Sequence, residues 1–225
     1  MDLEIEVSRL KLVKANYLTQ KYALEDSLLK HYPKEIRLTQ ERIKGYQADI
    51  ALYQRHKTEE FPGMVLCGIS YAEKKDAGAA IIEICKAQTS PEAKEIGSYR
   101  GFALLLSFDT MSKVFRMTLR GSLSHTIELG SDIHGNIQRM ENILEAFPVR
   151  LSACEKVLDT LKEQMENAKS EVEKPFAQEQ ELSEKTARLA ELDALLNIDK
   201  RENDVLDAEP EHQDERTQAK EEIER

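Results

Sequence analysis

The stretch Ile137–Val172, IQRMENILEAFPVRLSACEKVLDTLKEQMENAKSEV, decides the reading of this chain. Apolar or small residues recur at Ile137, Met140, Leu144, Phe147, Leu151, Cys154, Leu158, Leu161, Met165, Ala168 and Val172. The steps alternate between three and four, a period of about 3.5 residues, which is the seam of a helix lying along another helix. A seam this narrow is not the broad apolar face of a helix sunk in a globule. At about 1.5 Å per residue the segment would extend roughly 50 Å. The expectation is therefore a stalk with something mounted on it.

A matching seam lies upstream. One stripe carries Leu3, Val7, Leu10, Tyr17, Leu24 and Leu28. A second overlaps it and continues through Leu18, Tyr22, Leu29, Tyr32, Ile36, Thr39, Ile43, Tyr46, Ile50 and Tyr53. Pro33 removes a helical hydrogen bond and crowds the preceding turn, so a break or kink is expected near His31–Lys34, with Pro33 in the first turn of the second helix. Pro148 falls inside the downstream seam without disturbing its phase and predicts a kink. Pro175 predicts a break, followed by a last helix from Phe176 to about Asn197.

Between the seams the period changes. Phe61–Pro62–Gly63 ends the first helical region. Met64–Ile69 is a short apolar run between glycines and reads as a strand. Ser70 and Glu73 have the spacing of a capping box for a helix reaching about Ala87, with Ala77, Ala80, Ile81, Ile84 and Cys85 inward. Residues 88–95 read as a loop and residues 98–108 as one strand. Val114–Arg120 alternates, with Phe115, Met117 and Leu119 on one face. Gly121–Ser122 has the composition of a two-residue hairpin turn, and Leu123, His125, Ile127 and Leu129 face inward on the next strand. Ser131 or Asp132 caps the long helix.

The fold class that follows is α+β: a long antiparallel coiled-coil stalk carrying a small antiparallel β-sheet head with one covering helix. Residues 1–60 form the N-terminal stalk helices, 61–132 the head, 133–198 the C-terminal stalk helices, and 199–225 an acidic tail expected to be disordered.

Composition narrows the function. The net charge is −10, which argues against a protein that coats nucleic acid generically. The excess is local: residues 61–135 carry 8 basic and 8 acidic side chains, whereas residues 136–225 carry 13 and 24. Cys67, Cys85 and Cys154 lack metal or redox spacing and fit thiols in a reducing cytoplasm. No run of 18 apolar residues could span a bilayer, so no membrane partner is expected. Phosphate-loop, dinucleotide, nucleophile-elbow and zinc-protease motifs are missing, so the chain reads as noncatalytic, without a metal or cofactor.

One surface stands out. Arg116, Thr118 and Arg120 line the outward face of one strand, Tyr99 and Arg100 sit on the adjoining 98–101 segment, and Lys74 and Lys75 open the head helix. Arginines, a hydroxyl and an aromatic ring on a sheet face suit a phosphate backbone, and these seven are the candidate nucleic-acid contacts. The competing reading is a solvated sheet face, with the seams serving protein–protein contact or a homo-oligomer.

The head also presents Phe61–Pro62–Gly63–Met64, Gly68–Ile69–Ser70–Tyr71, Lys74–Lys75 followed by Asp76–Ala77–Gly78, and Ile96–Gly97–Ser98–Tyr99–Arg100–Gly101–Phe102. Ile127–Glu128–Leu129–Gly130, Gly135–Asn136–Ile137–Gln138–Arg139–Met140–Glu141–Asn142 and Lys174–Pro175–Phe176 leading to Leu182 follow. This order resembles the C-terminal region of the large helicase and adenine-specific DNA-methylase-like proteins of phages, plasmids and conjugative elements, over about residues 20–200. The resemblance implies a noncatalytic accessory region, with the helicase and methylase domains of a parent protein as partners and DNA as a further one. It implies backbone-geometry roles for Gly68, Gly97, Gly101, Gly130 and Gly135.

Overall fold

The computed structural model of the protein describes residues 2–88 and 90–206, the last ten by backbone alone. Most of the acidic tail predicted for 199–225 lies outside the described residues; residues 199–206 continue a helix. The chain divides into two compact units, Leu24–Val172 and Met1–Ala23 together with Glu173–Arg225. The fold is α+β with an antiparallel sheet.

In the smaller unit, helix α1 (Asp2–Asp26) and helix α6 (Glu179–Leu206) supply a compact apolar contact. Val7, Leu10 and Leu182 are buried there, flanked by Leu3, Phe176 and Leu189. The Tyr17 ring packs on Phe176, its hydroxyl donates to the Lys174 carbonyl, and Lys14 pairs with Glu179 at 2.6 Å. Pro175 lies between the last long helix of the other unit and α6.

Within the larger unit the end of α1 passes through one π-helical turn, Ser27–His31, into α2 (Tyr32–Arg55). The Tyr32 N–H reaches back to the Ser27 carbonyl, so one extra residue is held in the turn next to Pro33. This widened turn stands where the proline predicts a break, and it shifts the helix phase. Leu24 before the turn, Leu28 within it and Tyr32, Ile36 and Thr39 after it are shielded, whereas Tyr22 and Leu29 are exposed. The two overlapping stripes of the sequence are thus one stripe handed over at the π turn.

The sheet has strand order β2-β1-β3-β4-β5-β6, all neighbours antiparallel, with β1 (Met64–Leu66), β2 (Ile69–Tyr71), β3 (Lys94–Tyr99), β4 (Phe102–Asp109), β5 (Val114–Arg120) and β6 (Ser124–Glu128). Two of these strand pairs correct the sequence reading. The Met64–Ile69 run is a hairpin that turns at Cys67–Gly68, and residues 98–108 are the meeting of β3 and β4 at Arg100–Gly101. Both turns hold positive φ at both residues (45° and 81°, 46° and 84°), the geometry that matches the twist of the flanking strands. Only the second residue of each pair is glycine, so neither shows a familiar turn dipeptide. The β5–β6 connection is a three-residue loop, because Arg120 pairs with Ser124 and Gly121 N–H bonds the Leu123 carbonyl.

One face of the sheet is buried. Leu66, Ile96, Phe102, Leu104, Leu106, Met117 and Leu119 meet Ala77 and Ile81 of α3 (Lys74–Ala87) and Ile137, Met140 and Leu144 of α4 (Ile133–Glu145). The expected capping box of α3 does not form: Ser70 belongs to β2, and Glu73 occupies the cap position with no side-chain bond. Asp132 caps α4, accepting from His134 N–H and from Gly135 N–H at 2.7 Å. The long helix of the sequence reading is two helices. Ala146 separates α4 from α5 (Phe147–Glu173), and Pro148 falls in the first turn of α5, where its missing N–H leaves no bond unmade. Ile137, Met140, Leu144 and Phe147, the first four positions of the expected seam, are instead fully buried in the core beneath the sheet.

Candidate functional site

The second face of the sheet carries the alternate residues of the same strands. In β5, Arg116, Thr118 and Arg120 pair across to Ser107, Leu105 and Ala103 of β4 and to Glu128, Thr126 and Ser124 of β6. Thr118 and Thr126 share a hydroxyl–hydroxyl bond of 2.8 Å. The guanidiniums are already engaged. Arg116 Nη2 lies 3.0 Å from Asp109 Oδ2 and 3.5 Å from Glu128 Oε1, and Arg120 Nη2 lies 2.6 Å from Glu95 Oε2. Ser112, through its side chain and backbone N–H, and then Met111 hold the Asp109 carboxyl below the usual carboxylate range, with Arg116 adding to this. The face is thus polar and locally charge-balanced.

Tyr99 and Arg100, expected on an exposed segment beside these arginines, are instead interior residues. Tyr99 closes β3 on the covered face, and the Arg100 side chain is 6% exposed. Arg100 Nε donates to Glu141 Oε1 at 2.9 Å, and its Nη1 donates to the His56 carbonyl at 3.1 Å. The Tyr99 hydroxyl donates to the same Glu141 oxygen. Burial, reinforced by the Glu141 carboxylate, pushes the Tyr99 phenol well up, and burial followed by Glu141 raises Tyr53. For Arg100 burial opposes the charge, but the bonds to Glu141 and Tyr99 outweigh it and keep the guanidinium protonated. The node fastens the C-terminus of α2, the β3–β4 turn and α4 together.

Lys74 and Lys75 begin α3, on the covered side of the sheet, so the sheet separates them from Arg116 and Arg120. Lys74 is half-buried and borders a cleft shared with Lys57, Glu141 and Glu145. The structure thus gathers Arg116, Thr118 and Arg120 on one open face and places the other four candidates elsewhere.

A second buried node carries no mark in the sequence beyond an acid on the apolar side of α2. Asp49 is fully buried. Its Oδ1 accepts from Ser122 N–H at 2.6 Å, and its Oδ2 accepts from Leu123 N–H at 3.0 Å and from His125 Nε2 at 2.8 Å. The His125 ring lies among Phe147, Tyr46 and Phe102, with centroids 4.3, 5.6 and 6.5 Å away. Both nodes tie elements together. Among the described residues no three metal-ligating side chains converge, and no helix is long and apolar enough to cross a membrane.

The chain is thus an α+β protein with one covered and one open sheet face, the open one carrying Arg116, Thr118 and Arg120. Comparison with known proteins finds no matching family model, no matching curated protein and no matching solved structure.

Proposed function

We propose that the chain is a noncatalytic accessory module of the kind its motifs resemble in large mobile-element helicase and adenine-methylase-like proteins, and that it positions a partner protein domain. In this reading α2 and α5 form an antiparallel coiled-coil stalk that carries the sheet. One observation supports it above the others. Between residues 151 and 173 the shielded positions are Leu151, Cys154, Leu158, Leu161, Met165, Ala168 and Val172, and all other side chains are exposed. In α2 the stripe Tyr32, Ile36, Thr39, Ile43, Tyr46, Ile50 and Tyr53 is shielded in the same alternation of three and four. Two such stripes in one unit are what paired helices with interlocking seams produce.

The open sheet face is the docking surface of this module. Arg116 and Arg120 would have to give up Asp109, Glu128 and Glu95 to hold phosphates, so the face favours a polar protein surface over DNA. Three free thiols support a reducing compartment, the cytoplasm. The second reading is a purely structural helix-binding protein or homo-oligomer. Val149 and Val157 on α5 and Leu38 on α2, all exposed, favour it. Retention of the purified chain on single- and double-stranded DNA across a salt series tests the choice. The expected result is no retention at low salt, unchanged by R116E/R120E. Binding that weakens steeply with salt and is lost in R116E/R120E would overturn the protein-docking reading and restore phosphate contact.

A further inference from the structure

We propose that the cleft between the C-terminus of α2 and the β1–β2–β3 end of the sheet is a binding site for a nucleotide phosphate. The cleft has a volume of about 590 Å³, within the roughly 300–1,000 Å³ usual for small-molecule sites. Its floor is one cross-strand row: Ser70 pairs with Val65, and Val65 pairs with Ser98. Both serine hydroxyls lack a side-chain hydrogen-bond partner among the described residues. Arg55 and His56 stand on one wall, and Pro62 and Tyr71 supply an apolar side.

The charge of this cleft favours an anion. No carboxylate is among its lining residues. The Arg100 charge is balanced by Glu141, but Arg55 has no ion-pair partner among the described residues. Arg55 commits only Nε, to the Ala51 carbonyl at 3.3 Å, leaving its two terminal nitrogens to donate. The carbonyl end of α2 would ordinarily repel an anion. Here His56 Nδ1 bonds the Leu52 carbonyl at 3.0 Å, His56 N–H bonds the Tyr53 carbonyl, and Arg100 bonds the His56 carbonyl, so that end is occupied.

His56 narrows the ligand further. Because Nδ1–H donates to Leu52, Nε2 of the neutral ring is an acceptor and suits a hydroxyl. Gly101 leaves room for the ring, since a Cβ there would stand 2.8 Å from His56 Nδ1. Donors for an anion, an acceptor for a hydroxyl and a flat apolar side together match a phosphate, a sugar hydroxyl and a base. This inference does not rest on the stalk or on what docks at Arg116 and Arg120, although its serine row continues through Ala103 to Arg120 on the same sheet face.

Titration of the full chain with adenosine 5′-monophosphate, followed by calorimetry or amide chemical shifts, tests it. Saturable binding is expected, tighter than that of inorganic phosphate or adenosine alone. Arg55→Gln is expected to weaken it at least about tenfold, the loss of charge-assisted hydrogen bonds, and Ser70→Ala with Ser98→Ala to weaken it further. Arg55 is exposed, and a far-ultraviolet spectrum with an unchanged melting temperature confirms that the variant folds. Competition by a 5′-phosphorylated oligonucleotide, but not by its 5′-hydroxyl form, assigns the same phosphate chemistry to a strand end; competition by neither assigns it to free nucleotide. No saturable binding at millimolar nucleotide, or binding indifferent to Arg55→Gln and to the serine pair, overturns the proposal.

Discussion

The Asp49 carboxylate and the His125 ring meet at 2.8 Å inside the head, with both side chains almost wholly withdrawn from water. Asp49 also takes the two N–H groups of the β5–β6 loop, so a single α2 side chain fixes where that hairpin turns. Removing it strands the two loop amides and the imidazole in an apolar setting. Asp49→Ala should lower stability by about 3–5 kcal/mol, the usual consequence of breaking a buried, hydrogen-bonded charged group. Urea unfolding measures it, and a loss below about 1 kcal/mol would show that the node is not needed.

The Glu141 node gives a pH prediction. The Tyr99 phenol is raised above its unfolded value by burial and then by Glu141. A raised folded value means that the folded chain keeps its proton where the unfolded chain loses it. The Tyr99 contribution is therefore complete below about pH 10, the unfolded tyrosine value, and is lost as pH rises through the folded value. Stability should fall with pH above about 10, and Tyr99→Phe should flatten that fall. Thermal melts between pH 8 and 11 decide it; parallel slopes in the two proteins would rule out the role.

The three thiols should differ in reactivity. Cys67 is exposed at the β1–β2 turn, whereas Cys85 is buried against the sheet and burial alone pushes its thiol up to about 11. Thiolate is the reacting form, so iodoacetamide at pH 8 should label Cys67 well before Cys85. Peptide mass spectrometry over time reads the order, and equal rates would contradict the packing of α3.

The element types were legible because periodicity carries them. Phe115, Met117 and Leu119 alternate as a half-buried strand must, and Ala77, Ile81 and Cys85 repeat as a helix must. What escaped was set by backbone conformation or by partners distant in sequence. Cys67 and Arg100 hold positive φ, which neither residue type signals, so two hairpins read as continuous segments. Gly97 is another case: a Cβ there would lie 1.8 Å from the Val65 carbonyl, a contact that only the β1–β3 pairing creates. The candidate face was half legible. Alternation places Arg116, Thr118 and Arg120 together, but the carboxylates that occupy the arginines come from β3, β4 and β6. Arg100 looked exposed because its turn was unseen, and Glu141, 41 residues away, gave no local sign.

The proposed stalk makes a residue-specific prediction. The Tyr46 and Phe147 rings touch, with centroids 6.0 Å apart, where α2 and α5 meet the sheet. In an antiparallel coiled coil, one heptad back from Tyr46 lies opposite one heptad forward from Phe147. Those positions are Thr39 and Cys154, the first buried and the second half-buried. Thr39→Cys, in a background with Cys67→Ser and Cys85→Ala, should therefore join to Cys154 under a short thiol crosslinker. The link should form within one molecule at low protein concentration, seen as a mobility shift without a dimer band. A control cysteine at Leu38, on the exposed side of α2, should not react with Cys154 in this way. Crosslinking equal at the two positions, or only between molecules, would mean that α2 and α5 do not share a seam and that their shielded stripes face other partners.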